Sequence, residues 1–258
     1  MKGSAMQYGK FAALYDGFMS DVDYGMWSRY LSALIERTAA EAALIKPKTL
    51  LECGCGTGSL TIPLKKAGFS ITATDASDEM LAIASEKARS AAQLIPFVRM
   101  DMRRIALHRP VDCVIAGCDC VNYLTADDDA LAFFKSAYAA LKKGGLLLFD
   151  VSSEYKLKTV LGTNSFTDSR SDMAYFWRNN YDEASRLIEM DLEFFVKSER
   201  APQLYERFTE RHIQRAYGEG ELSGLLLKAG FASARAYGAF TFKPPAEDAQ
   251  RLQFVAVK

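Results

Sequence analysis

The chain has 258 residues, 49% hydrophobic and 25% charged, and its 32 Lys and Arg balance 32 Asp and Glu. This is the composition of a globular protein long enough to bury a core without disulfides, and its zero formal charge leaves no strong footprint for duplex nucleic acid. No apolar run approaches the ~20 residues of a membrane span. The first six residues also lack a signal-like apolar stretch, so reduced thiols and a cytoplasmic location are expected for a chain with five cysteines.

Two amphipathic helices are predicted first, over about Gln7–Met19 and Tyr24–Ala43. The second carries Trp27, Tyr30, Leu31, Leu34 and Ile35 at helical spacing. After Pro47, Thr49–Cys53 reads as a strand, Ser59–Ala67 as a helix closed by Gly68, and Ser70–Thr74 as a second strand. Ser77 suits an N-cap, followed by Asp78 and Glu79, for a helix to about Ala91. Ile95–Met100 and Val111–Ala116 read as strands three and four. Thr125-Ala126-Asp127-Asp128 resembles a capping box opening a helix to Lys143, which Gly144-Gly145 ends, and Leu146–Val151 is strand five. Such alternation predicts a parallel α/β sheet.

The period then changes. From about Ser152 to Arg215 the pattern is β alternation, with Ile188, Met190, Leu192 and Phe194 on one side and Leu187, Glu189, Asp191 and Glu193 on the other. Ala174–Tyr181 and Gln203–Ile213 are further strands of this antiparallel insertion. Glu219–Ala229 is a helix capped by Gly230, and Phe231–Tyr237 and Leu252–Lys258 form a closing hairpin whose last strand runs antiparallel. The expected divisions are a helical lid over 1–45, an α/β core over 46–151, the antiparallel insertion over 152–216 and the end of the core over 217–258.

The sharpest local feature is Glu52-Cys53-Gly54-Cys55-Gly56-Thr57-Gly58, a strand entering three alternate glycines before a helix. Glycine allows a tight turn and close ligand approach, and helix-start N–H groups hold anions. A dinucleotide loop places its third glycine one residue later, so the spacing favours S-adenosylmethionine (SAM). Asp75, ending strand two, suits a ribose in either case. Asp101-Met102 after strand three and the reversed hairpin favour SAM.

Together these motifs resemble the class I SAM-dependent methyltransferases, over about Tyr8–Leu148 and Glu219–Lys258. The resemblance implies a Rossmann-like sheet with a reversed C-terminal β-hairpin and an antiparallel β insertion after strand five. Gly54, Gly56 and Gly58 would pass beside the methionine part of SAM, with Glu52 orienting the loop or reaching the amino group. Asp75 would hold the ribose hydroxyls, Asp101 and Met102 would meet the adenine with Met80 nearby, and Asp119 is counted with these cofactor residues. The implied reaction is in-line methyl transfer to N or O of a small molecule, leaving S-adenosylhomocysteine. Alignment supplies much of such a rate.

The loop after strand four, Cys118-Asp119-Cys120-Val121-Asn122-Tyr123, lacks the Asn-Pro-Pro-Tyr signature of adenine and glutamine N-methyltransferases. There is no Pro-Cys nucleophile pair, and two histidines, His108 and His212, assemble no catechol-type metal cluster, so no metal is expected. Tyr8-x-x-Phe11-Ala12-x-x-Tyr15-Asp16 and Tyr24-x-x-Trp27 resemble the helical lid of the small-molecule group. The β insertion with Glu210-x-His212 resembles, more remotely, that of amino-sugar N,N-dimethyltransferases, but Tyr123 stands where those have a histidine base.

Tyr15, Trp27 and Tyr123 are candidates for an aromatic ring around the sulfonium, and Tyr15, Tyr123 and His212 for catalysis. Trp177 and Tyr181, with Tyr175 at near-alternate positions, and Arg215, as a fork for a carboxylate or phosphate, are candidate acceptor contacts. Cys53-x-Cys55 and Cys118-x-Cys120 end neighbouring strands, and small apolar packing is the favoured reading over zinc. The expected partner is a small-molecule acceptor, with a homodimer through the insertion conceivable. A non-catalytic SAM-binding protein and an NAD-dependent oxidoreductase stay open as alternatives.

Overall fold

A computed structural model describes residues 12–198, 201 and 203–258. The expected start of the first helix, with Tyr8 and Phe11, lies outside the described residues. The helix is seen as α1 (Ala12–Phe18) and is followed by α2 (Tyr24–Glu41), whose N-cap Asp23 accepts a hydrogen bond from the Met26 amide.

Seven strands form the main sheet: β1 (Thr49–Cys53), β2 (Ser70–Asp75), β3 (Phe97–Arg99), β4 (Val111–Ala116), β5 (Leu141–Ser152), β10 (Ser233–Gly238) and β11 (Arg251–Val257). Their order is β10-β11-β5-β4-β1-β2-β3. β1 to β5 pair in parallel, and β11 runs antiparallel between β5 and β10, as the closing hairpin predicts. Successive residues of a strand point to opposite faces. Leu50, Ile115 and Leu148 therefore meet Leu31, Leu34 and Ile35 of α2, while Leu51, Val114 and Phe149 meet the other layer. That layer holds α5 (Asp129–Ala140) and α6 (Glu219–Ala229), and on it Phe149 stacks on Phe254 at 4.9 Å. A sheet covered on both faces explains the continuous apolar runs of its central strands.

Three local expectations need correction. The helix α3 (Thr61–Lys66) is shorter than Ser59–Ala67. The helix after Thr125 does not begin with a side-chain capping box: it starts at Asp129, and its N-cap Asp128 makes no side-chain cap bond. Nor does Gly144-Gly145 end it. The helix stops at Ala140, and the glycines lie within β5, where pairing shifts from Val111↔Leu141 to Cys113↔Leu146. The extra residues between those pairs form a bulge, held by Lys258 hydrogen bonds to Gly144 and Gly145, and the pairing demand of β4 overrides helix continuation. The expected N-cap Ser77 is seen on α4 (Asp78–Ser90), accepting from the Met80 amide.

The insertion is a four-stranded antiparallel sheet of β6 (Ser165–Ser169), β7 (Met173–Asp182), β8 (Leu187–Lys197) and β9 (Tyr205–Arg215) in sequential order. Ile188, Met190, Leu192 and Phe194 are buried, as the alternation predicts, and arginines on the outer face pair with Glu189 and Glu193. A π-helical turn, Lys156–Leu161, precedes β6, anchored by buried Leu157 and Leu161, and has no counterpart in the sequence reading. No helix among the described residues is long and apolar enough to cross a membrane.

Candidate active site

The carboxyl ends of β1, β2, β4 and β5 open on one edge of the sheet, where ligands of open α/β folds bind. A cavity of about 650 Å³ lies there, bounded by the glycine loop, the loop after β4, α1 and the inner face of the insertion.

Gly54, Gly56 and Gly58 all take left-handed backbone angles, with φ of 68°, 52° and 74°. At Gly58 a side chain would also press on Ala84 of α4 at 3.2 Å, whereas a Cβ at Gly56 would meet no protein atom within 4 Å. Asp75 fixes this loop from β2: one carboxylate oxygen accepts from the Gly56 amide at 2.8 Å and the other from the Ser77 amide at 2.9 Å. Glu52 is buried, its Oε2 has no hydrogen-bond partner, and burial pushes its carboxyl up to about 7. Met80, Asp101 and Met102 line the same end of the cavity. Asp101 is gripped by Arg103, through its amide at 2.9 Å and its guanidinium at 2.6 Å, and Arg103 also reaches Asp129.

α1 closes over this end. The Thr57 and Ser59 hydroxyls donate to Asp16 at 2.6 and 3.1 Å, and Lys87 of α4 forms an ion pair with it. The hydrogen bonds of Lys87 and the two hydroxyls hold the Asp16 carboxyl below its usual range against the effect of burial. Tyr15 lines the cavity near Tyr24, Cys118, Tyr123 and Asp119, and burial pushes its hydroxyl well above the ordinary value, so it stays protonated. Phe18 meets Tyr175 of β7 edge to face at 5.2 Å, joining α1 to the insertion.

The loop after β4 is tightly held. Asp119 adopts a left-handed conformation, accepts from Arg251 at 2.7 Å and Gln214 at 3.0 Å, and donates its amide to Asp150 at 3.0 Å. Arg251 also pairs with Asp150. Burial works against the Asp119 carboxylate, but Arg251 and Lys156 lower its pKa below the usual range. Sequence reasoning missed Arg251, Gln214, Asp150 and Lys156. A signal existed for Asp150 alone, an acid inside the apolar run of β5 that demands a buried partner; nothing local marks the others.

Tyr123 and His212 meet at 3.3 Å between Oη and Nδ1, although 89 residues separate them. His212 is 5% exposed, and burial pulls its imidazole down to about 4. Tyr123, His212 and Trp177 line the cavity. The other expected contacts are placed elsewhere. Trp27 is core, edge-on to Phe240 at 4.8 Å with Arg251 over its ring, because α2 faces the sheet rather than the ligand edge. Tyr181 packs within the insertion, farther along β7 than Trp177. Arg215 lies outside the cavity wall, paired with Asp127 at 2.8 Å and Glu221 at 3.1 Å.

Cys53 and Cys113 lie in the core, and Cys55, Cys118 and Cys120 line the cavity. Burial pushes the Cys53 thiol up to about 12 and raises Cys118 and Cys120 well above the ordinary value. Among the described residues no three His, Cys, Asp or Glu side chains are grouped to hold a metal ion.

The sheet order with its reversed β11, the left-handed glycine loop and the acid ending β2 define a SAM-binding enzyme fold, and the comparisons agree. The methyltransferase-domain family model matches residues 50–145. The methyltransferase-family protein YqeM of Bacillus subtilis is 35% identical over 98% of both chains. The crystal structure of a SAM-dependent methyltransferase from Clostridium acetobutylicum superposes with a TM-score of 0.84, at 31% identity over 97% of this chain and 98% of that one. The chain belongs to the class I SAM-dependent methyltransferases. A sugar N-methyltransferase from Streptoalloteichus shares the fold, with a TM-score of 0.75 at 15% identity over 100% of this chain and 96% of that one.

SAM is the cofactor, and the residues fit it. The glycine loop leaves backbone open to a ligand at Gly56, and Asp75 keeps acceptor lone pairs beyond its two amide bonds. The orphaned Glu52 oxygen is a ready acceptor beside that loop.

Proposed function

We propose that the protein methylates N or O of a small-molecule acceptor held under α1 and the β insertion. The observation that carries this reading is one continuous cavity joining the glycine loop to the Tyr123–His212 pair and to Trp177, Met190 and Leu192 of the insertion. A pocket in the 300–1,000 Å³ range of ligand sites suits small molecules rather than macromolecular substrates. The fold shared with a sugar N-methyltransferase supports the same class.

Bound SAM supplies an electrophilic methyl group on a sulfonium. Asp75 would hold the ribose hydroxyls, Met80 and Met102 would pack beside the adenine, and Glu52 with the glycine loop would position the methionine end; all of them line the cavity. Asp101, turned toward Arg103, orders the adenine wall. Tyr15, kept protonated by its burial, and Tyr123 line the cavity where they would flank the transferred methyl group. His212 stays neutral above its depressed pKa, so its imidazole has one donor and one acceptor nitrogen to share between Tyr123 and the acceptor. α1, tied to the glycine loop and α4 through Asp16, would keep water from the cavity.

The test is S-adenosylhomocysteine formation from SAM with a panel of amine and hydroxyl metabolites. At least one acceptor is expected to raise product above the acceptor-free rate. SAM binding with no product from any of them would favour a non-catalytic SAM-binding protein.

A further inference from the structure

We propose that Lys156 selects the acceptor by holding an anionic oxygen group on it, a carboxylate or a phosphate; this rests on the small-molecule methyltransferase reading above. Three cations among the described residues line the cavity: Arg103, Lys156 and Arg251. Arg103 is committed to Asp101 and Asp129, and Arg251 to Asp119 and Asp150. Lys156 forms no ion pair within 4.0 Å among the described residues. Its Nζ donates to the Ser152 hydroxyl at 3.2 Å, which leaves two of the three ammonium donors for a ligand.

The setting makes those donors valuable. Lys156 opens the π-helical turn after β5, and its own amide donates to Ser153 Oγ at 3.0 Å while Leu157 and Leu161 anchor the turn in the insertion core. The head group is thus carried on fixed backbone, which lowers the ordering cost of binding. Leu161, Trp177, Met190 and Leu192 form an apolar wall to the same cavity. Burial lowers the Lys156 pKa, the Asp119 carboxylate opposing it. A partly desolvated ammonium without a contact counter-ion is costly, and an arriving anion relieves that cost. The arrangement suits an acceptor with an apolar body and an anionic group. Arg215, the cation that the sequence suggests for this task, is held outside by Asp127 and Glu221.

The test uses the full chain saturated with S-adenosylhomocysteine and saturation-transfer NMR with three probes: benzoate, phenyl phosphate and benzamide. Benzoate or phenyl phosphate is expected to bind about tenfold or more tightly than neutral benzamide, and the better of the two identifies the anion. Lys156→Met is expected to abolish that preference, Lys156→Arg to keep part of it, and both to bind SAM within about twofold of wild type. The proposal is overturned if benzamide binds as well as the anions, if no probe binds the wild type, or if Lys156→Met keeps the preference; in the last case Lys156 serves only to balance Asp119. Should Lys156→Met fail to fold, the wild-type preference and the Lys156→Arg variant decide. Because the probes require no turnover, failure here is distinct from an absence of methylation across the acceptor panel.

Discussion

Asp16 of α1 and Lys87 of α4 form an ion pair, with Thr57 and Ser59 of the glycine loop hydrogen-bonded to the same carboxylate. One side chain thereby ties α1, α4 and the glycine loop together. Asp16→Asn keeps the shape and removes the charge. The pair is part-exposed, so a loss of about 1 kcal/mol is expected, equivalent to SAM leaving about fivefold faster. Stopped-flow release of SAM reads the rate, and hydrogen exchange over residues 12–18 should rise in the variant. An unchanged release rate would remove the latch from the account.

Asp75→Ala should weaken SAM binding by roughly 1.5–3 kcal/mol, the scale of hydrogen bonds to a charged group. The substitution also frees the Gly56 and Ser77 amides that Asp75 now binds. Titration calorimetry should be paired with a melting curve, so that lost affinity in a folded protein is separated from lost structure. NAD is expected not to bind measurably to the wild type.

His212 makes stability depend on pH. Its imidazole titrates near 6.5 in an unfolded chain and at about 4 when buried here. Between those values the unfolded chain takes up a proton that the folded one refuses. The buried group therefore costs no stability above about pH 6.5, and stability falls as pH drops toward 4, by an order of 2–3 kcal/mol. Urea unfolding at pH 7 and pH 4.5 should show His212→Gln losing less stability on acidification than the wild type. Equal losses would contradict the depressed pKa.

Gly58→Ala and Gly56→Ala separate strain from contact. Both force an L residue into the left-handed region, at about 1–2 kcal/mol, but only Gly58 has a neighbour, Ala84, at 3.2 Å. Gly58→Ala should lower Tm more. Gly56→Ala should retain more stability while losing SAM affinity, because Gly56 lines the cavity and its new methyl would meet no protein atom within 4 Å. The reverse ranking in paired melting and binding measurements would sink this division.

The sequence alone determined the α/β alternation, the glycine loop, Asp75, the closing hairpin and the alternating faces of the insertion. Each is written in short-range spacing, because backbone periodicity and turn chemistry act over a few residues. It also placed Tyr15, Tyr123 and His212 among the candidates, from the N-terminal helix, the loop after strand four and the β insertion. Only the tertiary structure decided which of these share a wall. The Tyr123–His212 contact and the Arg251 pairs with Asp119 and Asp150 join residues 89 to 132 positions apart, and no local pattern encodes such a meeting. Trp27 and Arg215 show the converse. Their types suited a cation-binding ring and an anion fork, but Trp27 lies on the face of α2 that packs against the sheet, and Arg215 found Asp127 and Glu221 first. Lys156 could not be singled out as a lysine among many. It gained significance when the fold paired the other two cations among the described cavity residues, Arg103 and Arg251, with carboxylates, because a part-buried charge is defined by the partners that packing gives or denies it.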